Sequence, residues 1–195
     1  MNTTATAGRR PLIRLYLTRG VLAVAWAVAF AQAYKGSDTH EALTSATIAL
    51  LIAYPLLDAV SSAIDYRSVP DNPERGITAF NGVLSTLAAI SLGIAGATNG
   101  TVATLATFGA WAVVSGAAQV AVGIRRRGPE LGKQWPMLIA GGLSFIVGIF
   151  YAAQAAGNKP SLSVLSVYAT GGGVFFIVQA GLLAWKARRG TVQPV

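Results

Sequence analysis

The chain has no cysteine among its 195 residues and a single histidine. The first absence excludes disulfides, thiol nucleophiles and thiolate metal sites, and it leaves the redox compartment open. The second excludes a histidine-rich metal centre, because His40 stands alone. Acidic residues are scarce, with seven Asp and Glu against fifteen Lys and Arg. Charged residues of both signs make up 11% of the chain, where a soluble domain carries about 25%. That deficit is too large for a water-covered surface. Catalytic signatures are missing too: no Gly-rich phosphate loop, HExxH or GxSxG pattern occurs. A protein without enzymatic machinery and without a cofactor or metal is expected.

Apolar sequence fills the space. Hydrophobic residues make up 53% of the chain, and the mean hydropathy is +0.55. Runs near 20 residues recur, and that length crosses a hydrocarbon core of roughly 30 Å. Six such segments are predicted, at 13–34, 42–65, 77–98, 101–124, 135–156 and 162–185. The run from Leu12 to Tyr34 is longer than the apolar core of a signal peptide, about 7–15 residues, so it is read as a first spanning helix. Residues 1–11 are expected to be a disordered cytoplasmic tail, 12–189 one six-helix transmembrane domain, and 190–195 a C-terminal tail. Thr98-Asn99-Gly100 and Asn158-Lys159-Pro160 are short polar turns that close helical hairpins. The fold class is therefore all-α and integral to a membrane, with three helical hairpins.

The net charge of +8 raises the question of nucleic acid. Placement answers it. Twelve basic residues fall on one side of the predicted spans, in the N-terminal tail, the 66–76 and 125–134 loops and the C-terminus. The opposite loops hold two, Lys35 and Lys159. Arg19 lies inside the first span. Cytoplasmic loops carry the excess of Lys and Arg, so both termini are expected in the cytoplasm. An even number of spans requires the same. The partners expected are the lipid bilayer, a second copy or other membrane proteins, and no nucleic acid.

An internal repeat runs through the odd segments. Arg19-Gly20-Val21-Leu22 is echoed by Asn81-Gly82-Val83-Leu84 and more weakly by Ala140-Gly141-Gly142-Leu143. Each even segment carries one polar residue ahead of a basic end: Asp58 before Arg67, Gln119 before Arg127, Gln179 before Arg188. Small residues recur every four positions, at Ala23, Ala27 and Ala31, at Ser85, Ala89, Gly93 and Ala97, and at Gly109, Val113, Ala117 and Ala121, with Ala112 and Gly116 beside these last. Small faces let helices approach closely in lipid. Gly171-Gly172-Gly173 would serve close packing or allow a bend.

With this repeat and the stretch YPLLDAVSSAIDYR, the chain resembles the HdeD-type membrane proteins over residues 12–189. These are small bacterial proteins built from a short repeated two-helix unit. The resemblance implies six helices, a place in the bacterial inner membrane and a link to acid stress. It implies no catalytic residue.

The charges inside the spans are the candidate site. A charge within a bilayer is costly and faces a partner or water. Arg19 and Asp58 both fall roughly 10 Å below the inner interface at 1.5 Å per residue. An ion pair between the first two helices is the economical expectation. Asn81 lies near the same level, and Gln119 and Gln179 would continue a polar network if the repeat aligns them. Two readings stay open: a clamp that fixes helix register, or a polar centre that carries protons or a small solute. Pro55, one turn before Asp58, lacks an N–H and releases a backbone carbonyl. Arg125, Arg126 and Arg127 are expected to anchor topology and to contact anionic lipid.

Overall fold

The computed structural model describes residues 3–34, 43–68, 75–125, 127 and 135–189. It is all-α among these residues. Six helices follow one another: α1 Thr3–Ala33, α2 Ser45–Ser68, α3 Arg75–Thr98, α4 Gly100–Arg125, α5 Trp135–Ala155 and α6 Ser163–Arg189. Each contains a stretch long and apolar enough to cross a membrane.

The ends differ from expectation in ways that local chemistry explains. α2 begins at Ser45, not 42, because Thr44 caps it: its Oγ1 accepts the Thr47 N–H at 3.3 Å. α1 begins at Thr3, so residues 3–11, expected as a disordered tail, continue the helix. A helix already nucleated by an apolar run extends cheaply through Ala and Arg. α6 likewise runs on to Arg189. Pro55 lies buried inside α2, which continues as one element around it. His40, Arg126, the 69–74 segment, Lys133 and the 190–195 tail lie outside the described residues.

The chain divides into two compact units, one of Met1–Val28 with Leu165–Val195, the other of Ala29–Val164. In the larger unit α2 packs on α3, α3 on α4, and α4 on α5. α4 is the most enclosed helix, with Leu105, Phe108, Ala112 and Gly116 among its buried residues. Phe108 is the hub of an aromatic cluster: Trp111 meets it edge-on at 5.2 Å, with Tyr54 at 6.0 Å and Tyr151 at 6.2 Å.

The turn between α3 and α4 is as short as the sequence predicts. Asn99 N–H donates to the Ala95 carbonyl at 2.9 Å. Gly100 then takes φ 66°, where a side chain would be strained. Within the larger unit, α2 packs on α3 and α4 on α5 more extensively than α3 packs on α4. In the smaller unit α1 and α6 make the corresponding even-to-odd pair, through Gly20 and Gly173.

These pairs share one crossing point. A methyl group on Gly20 would lie 2.7 Å from the Gly173 carbonyl oxygen, and one on Gly141 would lie 2.8 Å from that of Gly116. One on Gly82 would meet the carbonyl of Ala59 at 3.9 Å. The three odd-helix glycines are those of the sequence repeat. Their even-helix partners, Ala59, Gly116 and Gly173, recur every 57 residues. The repeat is thus a repeated crossing geometry.

Candidate functional site

The polar cluster of the larger unit is built on two helices with matching spacing. Asp58 and Ser62 are four residues apart on α2, and Asn81 and Ser85 are four apart on α3. Residues four apart share a helix face, so two polar pairs meet across one interface. Asn81 Nδ2 donates to Asp58 Oδ2 at 2.7 Å and to Ser62 Oγ at 3.0 Å. Ser85 Oγ donates to the same carboxylate oxygen at 2.8 Å. From α4, the buried Trp111 Nε1 donates to Ser85 Oγ at 3.0 Å. Asp58 is thereby reached directly from α3 and, through Ser85, from α4.

The energetic logic follows from the surroundings. A carboxylate in an apolar layer needs donors, since burial without them costs several kcal/mol or more. A buried indole N–H needs an acceptor for the same reason. Ser85 meets both demands, accepting from Trp111 while donating to Asp58. Asn81 is used on one side only. Its Oδ1 is buried and has no hydrogen-bond partner among the described residues.

The sequence also picks out Gln119, Gln179 and Arg19. Gln119 is half-buried on α4 and makes no hydrogen bond to the Asp58 cluster. The crossing geometry gives the reason. Relative to Ala59, Gly116 and Gly173, the positions matching Asp58 are Ser115 and Gly172, and Gln119 matches Ser62. Counting back from the basic ends misaligned them, because each helix runs a different distance beyond its crossing. Gln179 lies on α6, and Arg19 on α1, in the smaller unit. The Arg19 guanidinium stands 5.0 Å from the centre of the Phe176 ring. Phe176 is the α6 counterpart of Ser62, so Arg19 meets its own even helix where Asn81 meets α2. Ala140, the third odd-helix counterpart, carries no polar group. Nearby, Ser144 matches Ser85 and donates instead to the Ala112 carbonyl at 3.1 Å.

Ser62, Ser85 and Trp111 were not singled out as polar partners. The usable signal was present: a polar pair four apart in each of two apolar helices. Arg125 is exposed at the end of α4, and Arg127 lies over the Trp135 ring at 5.3 Å. No group of His, Asp or Glu side chains among the described residues is arranged to hold a metal ion.

The family model described as a short repeat of unknown function (DUF308) matches residues 92–153. That stretch begins late in α3 and takes in all of α4 and most of α5, including the glycines at which α4 and α5 cross. No curated protein and no solved structure matches the chain.

Proposed function

We propose that this chain is a non-catalytic, multi-pass protein of the HdeD type in the bacterial inner membrane. Both termini lie in the cytoplasm. It serves under stress by helix packing with itself or with other membrane proteins, and its polar centre is a structural clamp. One observation carries this reading: Asp58 is held by Asn81 and Ser85 of α3, with Trp111 of α4 behind Ser85. A carboxylate engaged in this way fixes the register of three helices. The stress association comes from the sequence resemblance. The matched depth of Arg19 and Asp58 in the sequence adds a charge pairing to the proposal.

The test is a double-mutant cycle of Asp58→Asn and Arg19→Ala, read as thermal stability in detergent. A clamp with a charge pair gives a loss in each single variant and non-additive coupling between them. Additive losses would remove the pairing. Unchanged stability in Asp58→Asn would remove the clamp. Topology is tested by single-cysteine labelling, which a cysteine-free chain allows directly. Labelling of the 125–134 loop from the outer side would reverse the orientation.

A second reading, transport of protons or a small solute through Asp58, draws on the buried Asn81 Oδ1. An acceptor left over beside a carboxylate suits a donor that comes and goes. Here Asp58→Asn would give a stable protein that loses flux in proteoliposomes.

A further inference from the structure

At the ends of α2 and α4, next to the starts of α3 and α5, the same chemical pair recurs. The Arg75 guanidinium lies over the Tyr66 ring, 4.1 Å from its centroid. Arg127 lies over the Trp135 ring at 5.3 Å. In the first pair the aromatic comes from the even helix and the arginine from the odd one. In the second the contributions are exchanged. Both pairs bridge the mouth of an even-to-odd helix interface, and both lie on the side where twelve of the fifteen basic residues collect.

The rings are placed to meet the boundary of a membrane. Trp135 is 57% exposed and Tyr66 37%. Exposed Trp and Tyr at the ends of spanning helices sit at headgroup level. A guanidinium stacked on a ring uses its face for the ring. Its N–H donors lie in the plane of the group and point outward, a fork that matches phosphate oxygens bidentately. Arg127 is exposed, and its side chain has no hydrogen bond or ion pair among the described residues. The stack therefore holds a directed donor fork at the depth of lipid phosphates. Arg125 adds charge two residues back, at the end of α4, and Arg67 adds it at the end of α2; both are exposed.

We infer that the Arg127–Trp135 pair is a seat for the phosphate of an anionic phospholipid at the mouth of the α4–α5 interface. The exposed guanidinium keeps its donors open to the headgroup, and an indole gives the best cation–π platform. A bound lipid would straddle two helices and hold the ends of the pair together. The inference rests on the membrane placement proposed above.

The full-length protein is reconstituted into nanodiscs of phosphatidylcholine with and without phosphatidylglycerol. Retained lipids are counted by native mass spectrometry, and thermal unfolding is followed by tryptophan fluorescence. Phosphatidylglycerol should be retained in preference to phosphatidylcholine and should raise the unfolding temperature. Arg127→Gln should weaken phosphatidylglycerol binding about fivefold, the scale of one basic residue at a charged surface. Trp135→Leu, which keeps the charge and removes the platform, should weaken it measurably as well. Lys159→Gln, at the opposite end, should change nothing.

Equal retention of the two lipids would overturn the inference, as would an effect of Lys159→Gln equal to that of Arg127→Gln. Displacement of the lipid by millimolar inorganic phosphate would also overturn it, in favour of a soluble-phosphate site. Failure to enter nanodiscs at all would instead remove the membrane reading beneath it.

Discussion

The α4–α5 and α2–α3 pairs solve one packing problem by opposite means. Between α4 and α5 the backbones touch. Gly109 faces Gly148 and Gly116 faces Gly141, so closely that a methyl on any of the four would lie within 2.8 Å of a backbone atom of the other helix. Between α2 and α3 the same crossing carries Ala59 and Gly82, and a methyl on Gly82 would stand 3.4 Å from Ser62 Cβ, an ordinary contact. The extra distance is taken up by Asp58, Ser62, Asn81 and Ser85. The α4–α5 interface is held mainly by close approach, with one buried hydrogen bond from Ser144 to the Ala112 carbonyl, and the α2–α3 interface by a cluster of side-chain hydrogen bonds. In lipid both are needed, because water expulsion does not drive helices together there. The polar pair localises specificity: a one-residue slip strands a carboxylate, whereas a slip between glycine faces costs contact area.

The largest effect is expected where backbone meets backbone. Gly116→Ala would place its methyl 2.6 Å from both the Gly141 carbonyl oxygen and the Phe145 amide nitrogen. Neither atom can rotate away, so α5 must shift as a body. Overpacking costs about 1–3 kcal/mol where side chains can adjust, and this site belongs at or above the top of that range. Denaturant titration in mixed micelles should show a loss of about 3 kcal/mol, and a loss below about 1 would mean that the two helices slide apart freely.

Asp58→Ala comes next. It removes the acceptor for Asn81 and Ser85 at once. Stranded donors cost about 1–3 kcal/mol each when nothing replaces the acceptor, but Asn81 retains Ser62. A net loss of about 2 kcal/mol is expected in the same titration, and Asp58→Asn, which keeps one acceptor oxygen, should lose about half as much. Equal losses in the two variants would show that charge, not hydrogen bonding, holds α2 to α3.

Ser85→Ala should cost about 1 kcal/mol, within the range measured for side-chain hydrogen bonds between membrane helices. Its distinguishing mark is optical. Trp111 loses the Ser85 hydroxyl as acceptor for its indole N–H, so its emission should shift while that of the exposed Trp135 does not. An unshifted Trp111 spectrum would mean that the indole finds another acceptor within the aromatic cluster.

The architecture was largely legible in the sequence because each element is one long apolar run: each of the six runs has its helix. The site was half legible. Asp58 and Asn81 stand out because ionic and amide groups are rare in such segments. Ser62, Ser85 and Trp111 do not, since isolated Ser and Trp are ordinary in membrane helices and become partners only once a register is fixed. That register comes from the glycines Gly20, Gly82 and Gly141, which the repeat did reveal. The even-helix register was misread because Gln119 and Gln179 are conspicuous, whereas the residues at the crossings, Ala59, Gly116 and Gly173, are small. The small residues of α4 divide: Gly109, Ala112 and Gly116 form the packed face, while Ala117, four residues on from Val113, is exposed. The triple glycine of α6 divides similarly. Gly173 packs against Gly20 and Val24, while Gly171 and Gly172 have no atom near their open side among the described residues.

The smallest expected effect is the sharpest test of the comparison. Gly82 occupies the position of Gly141, yet its methyl would meet only Ser62 Cβ at 3.4 Å and the Ala59 carbonyl at 3.9 Å. Alanine is favoured over glycine in a helix interior by about 1 kcal/mol, so Gly82→Ala should leave stability unchanged or raise it by up to that amount. Gly172→Ala, with open space at its methyl, reports the propensity gain alone. The difference between the two variants is then the cost of the α2–α3 contact. If Gly82→Ala falls more than about 1 kcal/mol below Gly172→Ala, α2 and α3 are pressed together as closely as α4 and α5. The hydrogen bonds of Asp58 would then be an addition to glycine packing. If the two agree, the polar cluster is what sets the spacing of that pair.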